Sequence, residues 1–145
     1  MGRGLCTLKH NSEVIHVSDA TKQLLLQRSQ ELLDSIAHGD WTTYENLCAH
    51  DLTAFEPEAR GQRVEGLAFH RYYFDLGAPV GARHTTMTDP QVRLMGEQAA
   101  LVTYIRLVQS TSASGPVTSR CEETRLWEKQ DGTWQHVHFH RSENS

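Results

Sequence analysis

The sequence is short of cysteine, of long apolar runs and of charge excess, and each shortage removes a class of protein. Its three cysteines, Cys6, Cys48 and Cys121, are an odd number without paired spacing. That argues against a disulfide framework and for reduced thiols in a cytosolic setting. No apolar run approaches the roughly 18 residues that a membrane span needs. The opening MGRGLCTLKH has no apolar signal-peptide core, and Cys6 stands where a myristoylation signal wants Ser or Thr. Fourteen Lys and Arg against 18 Asp and Glu give a net charge of -4, which leaves no basic footprint for nucleic acid. P-loop, G-x-S-x-G, paired C-x-x-C and H-E-x-x-H motifs are all missing, so nothing presents a nucleophile beside its base.

What is present suits one soluble domain: 145 residues, 38% hydrophobic and 22% charged. Residues 1–18 read as a flexible leading segment. Within it Glu13–Val17 is a short β-branched run. It reads either as a strand able to add to a sheet edge or as the lead-in to a helix. A first long helix is predicted over 20–37, with Leu25, Leu32 and Ile36 on one face and Gly39 ending it. Asp40 then caps a second helix from Trp41 to about Cys48. A short strand over 51–55 stops at Glu56-Pro57, because proline holds the residue before it extended and lacks an N–H. The aromatic-rich stretch 67–76 predicts a third helix buried on more than one side, followed by a loop over 77–81. The rest is strand-rich: 84–95 with an interruption at Asp89-Pro90, 99–110, 117–129 and 133–141. Asp131-Gly132 joins the last two as a hairpin, since both turn positions need positive φ. Helices first and meandering antiparallel strands after them make an α+β fold, with helices on one face of a curved sheet. Residues 19–142 form the domain and 143–145 a tail.

Three strands each carry an arginine among apolar neighbours. Arg106 alternates with Val102, Tyr104 and Val108; Arg125 with Cys121 and Trp127; Arg141 with Val137 and Phe139. An arginine facing inward is costly unless something pairs with it. Converging guanidiniums suit the bidentate capture of a carboxylate or phosphate. The plain alternative is that they pair with local acids such as Glu122 or Glu123, or face solvent. Tyr44, Glu56, His70 and Asp89 are the candidates for acid/base work in such a pocket. The arginines argue against that work, since they lower a carboxylate's pKa and weaken it as a base. His136, His138 and His140 alternate on the opposite face of the last strand. Strand neighbours two apart are far for one ion, so packing against helices or another subunit is the reading preferred over metal binding. No metal and no cofactor is expected.

Seven motifs in order resemble the association, or hub, domain of calcium/calmodulin-dependent protein kinase II. They are Leu52–Ala59 (LTAFEPEA), Val64-Glu65-Gly66, Phe69-His70-Arg71, Tyr104–Leu107 (YIRL), Glu122–Arg125 (EETR), Asp131-Gly132 and Val137–Ser142 (VHFHRS). The resemblance covers roughly residues 20–142. It implies a nuclear transport factor 2-like, cystatin-like cone, in which a strongly curved antiparallel sheet wraps a long N-terminal helix. It implies non-catalytic self-assembly into a large homo-oligomer, typically of two stacked rings. The family's internal pocket matches Arg106, Arg125, Arg141, Tyr44 and His70, and accepts small carboxylates or a docking peptide. A kinase domain in cis, or a peptide from one, is the further partner implied; nucleic acid and membrane are not. The chain has no H-R-D or D-F-G motif, no Gly-rich kinase loop and no basic calmodulin-target stretch. It therefore reads as an excised hub or a hub-only homologue. The rival reading is a small-molecule isomerase or cyclase of the same fold.

Overall fold

The computed structural model describes residues 4–78 and 80–145, with side chains from Val17 onward. The first helix, α1 (Gly4–His38), starts well before the expected Ala20. Glu13–Val17 therefore lies in helix and not in a strand. A helix satisfies its backbone groups within the segment, whereas a five-residue strand needs a sheet edge to pair with. Leu25, Leu32 and Leu33 are fully buried, one stripe of the helix. Gly39 ends it at φ +68°: the Gly39 N–H reaches the Ile36 carbonyl and the Asp40 N–H the Ser35 carbonyl at 2.8 Å, a Schellman closure. Asp40 then caps α2 (Trp41–Leu47) by accepting from the Thr43 N–H.

Without a break the chain enters β1 (Cys48–Phe55). Glu56 is extended, at φ -153° and ψ 153°, and Pro57 opens a single 3-10 turn over Pro57–Ala59. After β2 (Val64–Glu65) comes α3 (Ala68–Asp75). The expectation that α3 is buried on more than one side does not hold: Tyr72, Tyr73 and Leu76 are exposed, and His70 is its buried residue. Two turns of helix present one face to the core, so the aromatics beyond that face remain in water.

The remaining strands are β3 (Arg83–Met95), β4 (Ala99–Ser112), β5 (Gly115–Gln130) and β6 (Thr133–Arg141). Asp131 and Gly132 both have positive φ at the β5–β6 hairpin, as an Asp-Gly turn requires. The sheet order is β2-β1-β6-β5-β4-β3. All pairs are antiparallel except β1 with β6, which run parallel because the chain returns through α3 and three long strands. Asp89-Pro90 is a register shift within β3, not a break. Shifts also fall in β1 and between Leu126 and Trp127, where they bend the sheet. The core lies between the helices and the inner sheet face, with Leu25, Leu32, Tyr44, Val102, Trp127 and Phe139 at its centre. No helix among the described residues is long and apolar enough to cross a membrane.

Candidate functional site

The inner face is apolar at one end of the cone and ionic at the other. A cavity of about 410 Å³ opens at the ionic end, and Tyr44, His70, Arg106, Arg125 and Arg141 all line it. Three adjacent strands supply the arginines because residues two apart share a face. Arg106 stands opposite Cys121 and Arg125 opposite Phe139 in the ladders. Tyr44 comes from α2 and His70 from α3, in contact with each other and with Phe74 and Phe139. Of the acid/base candidates, Glu56 also lines the cavity, with its Oε1 2.6 Å from His70 Nε2. Asp89 does not: it is exposed at the β3 register shift.

The cavity is not simply cationic. Arg83, Arg106, Arg125 and Arg141 face Glu56, Glu58 and Glu123, four positive groups to three negative. Glu123 is buried on the β5 face that carries Arg125. Its Oε2 accepts from Arg125 at 2.6 Å, and its Oε1 lies 3.8 Å from Arg106. The alternative that the arginines pair with a local acid is therefore met, by Glu123. Glu122 points elsewhere and pairs with Arg120 on the exposed side at 2.9 Å.

The three arginines are not equivalent. Arg125 is 1% exposed and has every branch engaged. Its Nε donates to the Tyr104 hydroxyl at 2.6 Å, one terminal nitrogen to His136 Nε2 at 3.2 Å, and the other to Glu123. Its guanidinium also stacks 4.5 Å from the Phe139 ring centre. Burial works to lower its pKa, but Glu123 and Tyr104 outweigh it and raise the pKa above the ordinary value. Arg106 and Arg141 each keep a buried Nε–H with no partner. Arg141 pairs with Glu58 and lies 3.9 Å from Glu56. Arg106 and Arg141 are therefore less fully paired than Arg125, which is engaged on every branch.

His136 corrects the expectation that the three histidines share the outer face. Trp127 pairs with His136 but Leu126 with His138, so one extra residue is inserted at Val137. That bulge turns His136 inward beside Phe139 and leaves His138 and His140 outside. It equally removes Val137 from the face of Phe139 and Arg141. His136 is fully buried, and burial, then the Arg125 charge, holds its pKa well below the ordinary value. Since guanidinium can only donate, Nε2 accepts and the ring proton sits on Nδ1, 3.5 Å from Cys48 Sγ. Burial pushes the Cys48 thiol up to about 12 and raises the Tyr104 and Tyr44 phenols. These groups keep their protons near neutrality and offer neither nucleophile nor base. Sequence reading named Glu123 beside Glu122 as a local acid for the arginines, and alternation from Arg125 selects Glu123. It did not single out Glu58 and it set His136 on the wrong face, because a loop contact and a bulge leave no local signal.

A family model for the calcium/calmodulin dependent protein kinase II association domain matches residues 21–145. The calcium/calmodulin-dependent protein kinase type II subunit delta of Oryctolagus cuniculus is 47% identical over 126 residues, 85% of this chain. The chain spans about a quarter of that relative's length, 24%. Among solved structures, the association domain of C. elegans CaMKII superposes with a TM-score of 0.82 at 44% identity, covering 86% of this chain and 97% of that one. The Chlamydomonas reinhardtii CaMKII hub homology domain gives 0.77 at 50% identity, covering 81% and 94%. A nuclear transport factor 2-like protein of Salmonella enterica, 18% identical with a TM-score of 0.69 over 86% and 92%, shares the fold alone. The chain belongs to the calcium/calmodulin-dependent protein kinase II association domain family.

Proposed function

We propose that this chain is a non-catalytic self-association domain that assembles into a large ring-like homo-oligomer, with an internal pocket for a small carboxylate or a docking peptide. The observation that carries the assembly reading is the family match over residues 21–145, nearly the whole described domain. Residues 19–142 are the associating unit, and 1–18 are an appended segment. The pocket reading is supported by Arg106 and Arg141, which are less fully paired than Arg125 and line a cavity that Tyr44 and His70 also line. A carboxylate held by either guanidinium gains charge-assisted hydrogen bonds. The partners are further copies of the chain, a kinase domain in cis or a peptide from one, and small carboxylates in the cytoplasm. Native mass spectrometry at micromolar concentration tests the assembly: multi-subunit masses are expected, and a monomer overturns it.

A second reading, an isomerase- or cyclase-type enzyme, is favoured by one observation, the buried Glu56–His70 pair at 2.6 Å facing the cavity. It requires a turnover that His70→Asn abolishes, whereas the association reading expects none.

A further inference from the structure

One cation of the cavity is left without an anion. Of the four arginines that line it, Arg125 is held by Glu123, Arg106 lies 3.8 Å from the same carboxylate, and Arg141 pairs with Glu58. Arg83 makes no ion pair among the described residues. It opens β3, the edge strand of the sheet, and is exposed where it lines the cavity. The pleat sets its direction, since residues two apart share a face. Thr85 is buried and Met87 packs on the core, so Arg83 stands on the inner face with them.

The wall between Arg83 and the inner arginines is neutral. Arg83 pairs with Ser110 in the ladder and Met87 with Arg106, so four residues of β4 separate the two positions. That is about 13 Å at the usual rise of a strand. The cavity side chains along this length are Ser110 and Val108 of β4, with Ser119 and Cys121 beside them on β5. None of the four carries a charge; burial holds the proton on the Cys121 thiol.

We infer that the ligand of this cavity is a dicarboxylate, a small molecule with two anionic ends and a flexible apolar middle. One carboxylate sits against Arg106 and Arg141, and the other is taken by Arg83. The inference rests on the pocket reading and narrows its ligand class. A monocarboxylate at the inner end leaves Arg83 unmatched. A second carboxylate gives that guanidinium a partner with charge-assisted hydrogen bonds. The methylenes between the two ends lie along Val108 and Cys121, where nothing charged has to be desolvated.

The test titrates the full chain near pH 7.5, where both carboxylates are ionised. The probes are glutarate, adipate and pimelate, each against its own monomethyl ester, which keeps the length and removes one charge. Calorimetry or NMR reads the affinities. At least one diacid is expected to bind about fivefold more tightly than its ester, the worth of one exposed ion pair. Arg83→Gln is expected to erase that difference and to leave the ester's affinity as it was. Diacid and ester of equal affinity at every length overturn the inference, and that comparison needs no variant. An Arg83→Gln chain that still prefers the diacid, with circular dichroism matching the wild type, overturns it as well. In both cases ester binding that Arg106→Gln weakens leaves the pocket reading standing. A wild type that binds none of these compounds overturns both.

Discussion

Replacing Arg125 by methionine removes one charge and strands three partners. Methionine keeps most of the side-chain length, so the effect is electrostatic rather than a cavity. Glu123, with 0% side-chain exposure, loses its 2.6 Å partner and keeps only Arg106 at 3.8 Å. Removing one member of a buried pair costs about 3–5 kcal/mol. The Tyr104 hydroxyl and His136 Nε2 also lose a donor, at about 1–3 kcal/mol each if left unsatisfied. These losses share one desolvated site and do not add. The expected destabilisation is about 4 kcal/mol, or roughly 10–15 °C in Tm for a chain of this size. Adding Glu123→Gln removes the abandoned charge and should recover about 2 kcal/mol, the sign that distinguishes an ion pair from mere loss of contact. Urea unfolding followed by circular dichroism measures both, at a fixed protomer concentration because assembly shifts apparent stability. If Arg125→Met falls within about 1 kcal/mol of wild type, or the double variant is no more stable than the single, Arg125 does not organise this floor.

Arg106→Gln and Arg141→Gln should each weaken binding of a small carboxylate such as acetate or succinate by about tenfold, the worth of one charge-assisted hydrogen bond. NMR titration reads this, and unchanged affinity in both removes the pocket reading. The depressed pKa of the buried His136 sets a pH dependence. Below the unfolded value of about 6.5 the unfolded chain binds a proton that the native chain does not. Stability then falls with decreasing pH by about 1.4 kcal/mol per unit, and His136→Gln should flatten that slope in unfolding curves taken from pH 7 to pH 5. Gly39→Ala should cost about 1–2 kcal/mol for a left-handed φ, and its Cβ would meet Ala78 at 3.3 Å; thermal melts that match wild type would contradict this. Deleting residues 1–18 should leave the native mass distribution unchanged if 19–142 is the associating unit, and a changed subunit number would assign those residues a part in it.

Local chemistry alone determined the broad plan. Gly39, Pro57 and Asp131-Gly132 punctuate the chain where a left-handed φ, a missing N–H or a tight hairpin is needed, and the elements break at those places. Period-two alternation placed Arg106, Arg125 and Arg141 on one face, and the ordered motifs identified the family. Tertiary structure decided how those groups are used. Arg141 meets Glu58 across 83 residues of chain, and no local pattern encodes so distant a pairing. Arg125 is saturated while Arg106 and Arg141 keep free N–H groups, a difference that arises only when Tyr104, His136 and Glu123 close around one guanidinium. One inserted residue at Val137 reversed the side of the sheet that His136 faces, because a strand's side chains alternate with period two and a single-residue shift inverts every position beyond it.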